Sequence, residues 1–120
     1  MDTVRVYWEK YPNHFAETYK ELLEENIFSD VTLVSDDQVY FQAHRIVLSA
    51  CSPVLKHLLL TDPQAHPMLF LRNINQRELK SLLSFMYFGE VAVQKNSIQL
   101  FLDIAAHLTI KELKTDKTKC

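Results

Sequence analysis

The sequence predicts an α+β domain in which about five or six helices cover a small sheet, and three observations predict it. Short alternating or continuous apolar stretches, bounded by turn residues, recur five times. Between them run segments whose apolar residues repeat at helical spacing, several opened by capping residues. The balance of 48% hydrophobic and 23% charged residues over 120 positions suits one domain with a modest core and not a disordered tail. Elements of both kinds around a single core leave helices packed on a sheet.

Val4, Val6 and Trp8 alternate with polar neighbours and read as a strand, which Pro12 and Asn13 break. Phe15, Tyr19, Leu22 and Leu23 then form the apolar stripe of a helix ending near Asn26, with Glu17, Glu21, Glu24 and Glu25 on its solvated side. Val31 and Leu33, then Val39 and Phe41, flank Ser35-Asp36-Asp37-Gln38 and predict a hairpin with a polar turn. Residues 43–51 are apolar on more than one helical face, so a helix there is expected to be buried nearly all round. Ser52-Pro53 is a capping hydroxyl followed by a proline at the first helical position, and Val54, Leu55, Leu58 and Leu59 carry that helix to Asp62-Pro63.

Residues 68–71 form a continuous apolar run expected to be a buried strand. Asn75 with Glu78, and Asn96 with Gln99, have the spacing of capping boxes ahead of two further amphipathic helices, the first of which Gly89 stops. Val91 to Val93 make a brief extended piece, and a last turn, residues 110–113, precedes a polar tail. The domain is therefore placed at 1–113, with 114–120 a tail or the start of a linker.

One glycine in the whole chain argues against phosphate-cradling loops. Thirteen basic against fifteen acidic residues give no electrostatic support for direct nucleic-acid binding, and no apolar run is long enough to span a membrane. Cys51 and Cys120 do not make a disulfide framework of the secreted kind, which fits a reducing compartment. His44 and Cys51 share a helical face, but seven residues of helix separate them by about 10 Å, too far to share a proton. They read as a hydrogen-bonded core histidine and a structural thiol, and the five histidines lack metal-ligand spacing. No enzymatic activity, metal or cofactor is expected.

The blocks Asp-Val-Thr-Leu at 30–33, Phe-x-Ala-His-Arg-x-Val-Leu-Ser-Ala at 41–50 and Phe-Met-Tyr-x-Gly-Glu-Val at 85–91 resemble a BTB/POZ domain over about residues 15–113. The Val-Tyr-Trp stretch at 6–8, Ser-Ala-Cys-Ser-Pro at 49–53 and His66-Pro67 further resemble the Tramtrack-type group of insect transcription regulators. That resemblance implies a mixed-sheet BTB/POZ fold whose N-terminal strand and first helix serve homodimerisation. It also implies hexamer-like assemblies, other BTB proteins or transcription co-regulators as partners, and a nuclear transcription or chromatin regulator as the whole protein. The chain departs from the family at Leu55, where an aromatic is usual, and at Glu9-Lys10-Tyr11, where the Tramtrack group is Asn-rich. The alternative is a substrate adaptor of a cullin ubiquitin ligase, but residues 54–62 lack the glutamate that such adaptors carry.

The expected interface residues are Val4, Val6, Trp8, Phe15, Tyr19, Leu22 and Leu23. A terminal apolar strand can bury its side chains only against a sheet edge, its own or another chain's. Trp8 is too large for its own strand to cover and is expected at an interface. Asp30 and Arg45 match the family's paired charges and are expected as a buried pair at a charged pocket.

Overall fold

A computed structural model describes residues 2–110. Five helices are built in order: α1 at Tyr11–Glu24, α2 at Arg45–Cys51, α3 at Pro53–Thr61, α4 at Gln76–Phe88 and α5 at Ile98–His107, the last preceded by a 3-10 turn at Lys95–Ser97. Three strands, β1 at Val31–Val34, β2 at Tyr40–Ala43 and β3 at Met68–Phe70, form a mixed sheet in the order β2-β1-β3. β1 runs antiparallel to β2, with Leu33 opposite Phe41, and parallel to β3, with Leu33 beside Leu69.

β1 is central because all four of its residues are apolar or small enough to be covered on both faces, and all four are buried. Its Val31 and Leu33 join Leu48 of α2, Leu55 of α3, Leu79 and Leu82 of α4, and Phe101 of α5 in one core. The hairpin turn closes as its polar composition predicts. Ser35 N–H donates to the Val39 carbonyl at 3.0 Å, the Ser35 hydroxyl accepts from Val39 N–H, and Gln38 takes a left-handed φ of 63°.

The capping reading holds at Ser52: its side chain accepts from Leu55 N–H at 3.1 Å and donates to the Leu108 carbonyl at 2.7 Å, so one buried hydroxyl starts α3 and ties it to the end of α5. It fails at Asn75, which sits at the N-cap of α4 without a side-chain bond. Asp37, from the hairpin turn, takes that task by accepting from Gln76 N–H at 2.9 Å. At α5 the N-cap is Ser97 instead of Asn96, again without a side-chain bond to the helix. Gly89 does end α4, in a left-handed conformation at φ 90° where a side chain would be strained.

Five other expectations need correction. Residues 4–8 and 91–93 are not strands: each is extended in pattern, but no described strand pairs with it. α1 begins at Tyr11, not Phe15, because Pro12 falls in the first turn, where a missing N–H costs nothing. α2 is not buried all round; only Val47 and Leu48 are, while Ile46 faces out. β3 is a strand but not a buried one, since Met68 and Phe70 stand on the exposed face. The expected turn and tail beyond residue 110 lie outside the described residues.

The densest polar arrangement in the interior is at His44, just ahead of α2. Its Nε2 is 2.7 Å from the Ile27 carbonyl, which can only accept, so that nitrogen carries the proton. In the neutral ring the bare Nδ1, 2.7 Å from the Tyr87 oxygen, then accepts the phenol proton, while the same oxygen accepts from His44 N–H at 2.8 Å. Burial foremost pushes the Tyr87 phenol well above its ordinary pKa, which keeps it a donor. Replacing Tyr87 with Phe orphans a backbone donor and a ring acceptor, and is expected to lower stability by about 2–3 kcal/mol. Ser52→Ala is expected to cost about 2 kcal/mol through the lost cap and the unpaired Leu108 carbonyl. Urea unfolding of the two variants checks both values.

Candidate interaction surface

The N-terminal segment and α1 bring their aromatic side chains into one row. Tyr11, Phe15 and Tyr19 recur every four residues and so share a face of the helix. Ring centroids lie 4.6 Å apart for Tyr11 and Phe15 and 5.9 Å for Phe15 and Tyr19. Trp8 folds back on the start of the helix, 5.7 Å from Tyr11 and 4.7 Å from His14. Pairs at these separations and tilts are favourable beyond the area they cover, yet Trp8, Tyr11 and Phe15 remain exposed. Ahead of them Val4 and Val6 are 87% and 91% exposed, with nothing in the described chain to cover them.

The seven expected interface residues thus divide. Val4, Val6, Trp8 and Phe15 are open; Tyr19 and Leu23 pack against the domain's own core, and Leu22 is half-buried. Tyr11 and His14 belong to the row as well: Pro12, which ends a strand, is equally suited to the first turn of a helix, and that preference is the sequence signal for them.

Asp30 and Arg45 meet as expected, with Arg45 Nε 3.1 Å from Asp30 Oδ2. The pair is not buried: its side chains are 41% and 40% exposed. Its second bond has no local signature in the sequence. Asp30 Oδ1 accepts from Arg45 N–H at 2.8 Å and so caps α2 from fifteen residues away, where the N-cap residue His44 offers no side-chain bond. Burial pushes the Asp30 carboxyl up, but the Arg45 backbone N–H, its guanidinium and its charge outweigh that and hold the group below the ordinary carboxylate value. Phe28, two residues before Asp30, and Ile46, next to Arg45, are both exposed.

Behind α1 a groove of about 480 Å³ opens between α1, β2 and α4, lined among others by Leu23, Tyr40, Leu83 and Phe88, with Lys20 Nζ 4.7 Å from the Phe88 ring centre. His44 has both ring nitrogens engaged and cannot take a proton from Cys51. The Cys51 thiol donates to the Met86 carbonyl at 3.5 Å, and burial raises its pKa. No group of three or more metal-binding side chains occurs among the described residues. What α1 and the segment before it display outward includes apolar contact area at Val4, Val6, Trp8, Tyr11 and Phe15.

A helix-covered mixed sheet with an open aromatic face defines the class: a protein-interaction module. The family model for the BTB/POZ domain matches residues 19–119, and the chain belongs to that family. It is 39% identical over 106 residues to the Drosophila melanogaster protein tramtrack, alpha isoform, and 40% identical over the same length to protein abrupt from that fly. Each match covers 88% of this chain but only 13% and 12% of those much longer relatives. A shorter relative, the longitudinals lacking protein-like of Drosophila melanogaster, is 38% identical and covered over 83% of its length. Among solved structures, the BTB domain of zebrafish PATZ1 superposes with a TM-score of 0.79 at 19% identity, over 90% of this chain and 88% of that one.

A carboxyl held below its unfolded pKa stabilises the fold above that unfolded value, and the contribution is lost as the pH falls through the folded one. Asp30→Asn keeps an oxygen for the Arg45 N–H but removes the titration. Below about pH 4 the wild type is expected to lose stability more steeply than this variant, as the urea midpoint measured against pH will show.

Proposed function

We propose that this domain is a self-association module that joins copies of a longer nuclear transcription or chromatin regulator. Two copies meet through the open side chains of Val4, Val6, Trp8 and Phe15, with Leu22 at the margin and Tyr19 and Leu23 seating the helix from its inner side, the domain extending over residues 1–113. The observation that carries the reading is the aromatic row of α1 together with the unpaired N-terminal segment, which leave Val4, Val6, Trp8, Tyr11 and Phe15 exposed side by side along the chain. Contiguous exposed apolar side chains that include a Trp mark a protein contact. An alternating segment without a neighbour finds its pairing by exchange with a second copy, a low-cost route to a dimer.

The relatives support the wider setting, since the match occupies a small part of tramtrack and abrupt and leaves room in such chains for other domains. In that setting association acts through avidity: coupling two linked DNA-binding segments raises their effective concentration at a site without any new base contact. The half-exposed Asp30–Arg45 pair is then available to a co-regulator. The function requires no catalytic group and no cofactor.

Multi-angle light scattering in reducing buffer tests this directly. The wild type is expected at twice the chain mass or more. Trp8→Ala with Phe15→Ala is expected at the mass of one chain with an unchanged far-UV circular dichroism spectrum. A double variant that keeps the wild-type mass overturns the interface.

A further inference from the structure

The groove behind α1 has a strand for one wall. Tyr40, Phe41 and Gln42 of β2 all line it. Consecutive residues of a strand point to opposite faces, so a space that touches all three runs along the edge of the strand and not over one face. β2 is an edge of the sheet, bonded to β1 alone. Asp30 N–H donates to the Ala43 carbonyl and Ser35 N–H to the Val39 carbonyl, each at 3.0 Å. Those bonds turn residues 39, 41 and 43 toward β1. The N–H and C=O of Tyr40 and Gln42 therefore point outward, where no described group bonds them. Edges of natural sheets are blunted by charge, proline or a bulge. Tyr40–Ala43 has neither charge nor proline, and its register with β1 is unbroken.

The opposite wall is a stripe of α4. Lys80, Ser84 and Phe88 follow one another at four-residue steps, with Leu83 and Tyr87 beside them. From Lys80 to Phe88 the helix rises about 12 Å, the length of about four residues of extended chain. Leu23 of α1 adds to the apolar lining made by Leu83 and Phe88. Four charges stand along the groove: Lys20 and Glu24 on α1, Lys80 on α4 and Glu90 beyond its end. None of them is in an ion pair among the described residues, and the Lys20 ammonium rests over the Phe88 ring. Charges of both signs suit a ligand that carries an acid and a base.

This combination selects the occupant. Free donors and acceptors on the strand wall bind an extended backbone, and the apolar part of the helix wall takes its alternate side chains. Helices on the far side leave room for one added strand. A sheet edge from a second copy of this chain arrives with its own helices and does not fit there.

We propose that the groove is a docking site for a short extended segment of a different protein. The segment adds to β2 as a further strand, presents alternate apolar side chains to Leu83 and Phe88, and carries an acidic residue at one end and a basic one at the other. The site shares no residue with the aromatic row and goes beyond the self-association proposed above.

Two-dimensional NMR of the whole chain tests it with a pool of hexapeptides, Glu-X-Thr-X-Thr-Lys with X as Val, Ile, Leu or Phe, blocked at both ends and titrated to about 1 mM. The Tyr40 and Gln42 amide resonances are expected to shift and to gain exchange protection as peptide is added. N-methylation of the X residues removes the donors on one edge of the peptide, and N-methylation of the Thr residues removes those on the other. One of the two forms is expected to bind about tenfold more weakly than the other, through the loss of two backbone hydrogen bonds. Trp8→Ala with Phe15→Ala is expected to bind the pool as the wild type does, so the proposal stands or falls separately from self-association. Loss of binding in that variant places the peptide on the row and overturns the proposal. It is overturned equally if no peptide shifts the Tyr40 and Gln42 amides, or if the two methylated forms bind alike. Protection of Tyr40 and Gln42 without peptide, together with residues 4–8, also overturns it by assigning the edge to the chain's own N-terminal segment.

Discussion

A single imidazole holds together the three parts of the chain on which the rest is arranged. Between α1 and β1 the backbone passes through two left-handed residues without being glycine at either: Asn26 at φ 54° and Phe28 at φ 61°. A bulky residue in that region is strained and persists where its surroundings over-determine it. Here the Ile27 carbonyl, caught between the two, is bonded to His44 at the head of α2, and His44 is bonded to Tyr87 near the end of α4. The direction in which α1 leaves the sheet follows from that chain of bonds. So does the presentation of the aromatic row, since Tyr19 and Leu23 seat the inner side of α1 against the core and leave Tyr11 and Phe15 outside.

The β1–β2 hairpin performs a comparable task with carboxylates. Asp30, just before β1, caps α2, and Asp37, in the turn after β1, caps α4. Asp37 is held below the ordinary carboxylate value, by the Ser35 hydroxyl first and then by Gln76 N–H. Two helices thus take their starting points from one strand pair, and their positive ends meet negative charge there. The most buried strand fixes the frame, and the helices are registered to it by polar bonds as well as by apolar packing.

Most of this frame was legible in the residues. The hairpin, the Ser52-Pro53 start of α3, the stop at Gly89 and the resemblance in the 30–33, 41–50 and 85–91 blocks each rest on local chemistry, and each has its counterpart in the structure. What was not legible depends on groups distant in sequence. Asn75 has the local spacing of a cap but makes no side-chain bond, and the side-chain bond at this helix start comes from Asp37, which accepts from Gln76 N–H thirty-nine residues away in sequence. Alternation at Val4, Val6 and Trp8 shows that the segment can form a strand, not that it has a neighbour, and pairing is a property of two segments. Apolar periodicity in β3 and α2 likewise reports which side chains avoid water without saying whether the cover comes from the same chain. Met68, Phe70 and Ile46 are uncovered for that reason.

The aromatic row has a further consequence for selectivity. Trp8, Tyr11, Phe15 and Tyr19 form a row of rings without a carboxylate or ammonium among them. Rejection of a wrong partner rests on clashes, unpaired charges or stranded polar groups, and such a surface has few of them. A related chain with similar rings at these positions would be accepted almost as readily as an identical one. If the row joins chains as proposed above, selection among partners falls to the charged margins of α1 more than to the rings themselves.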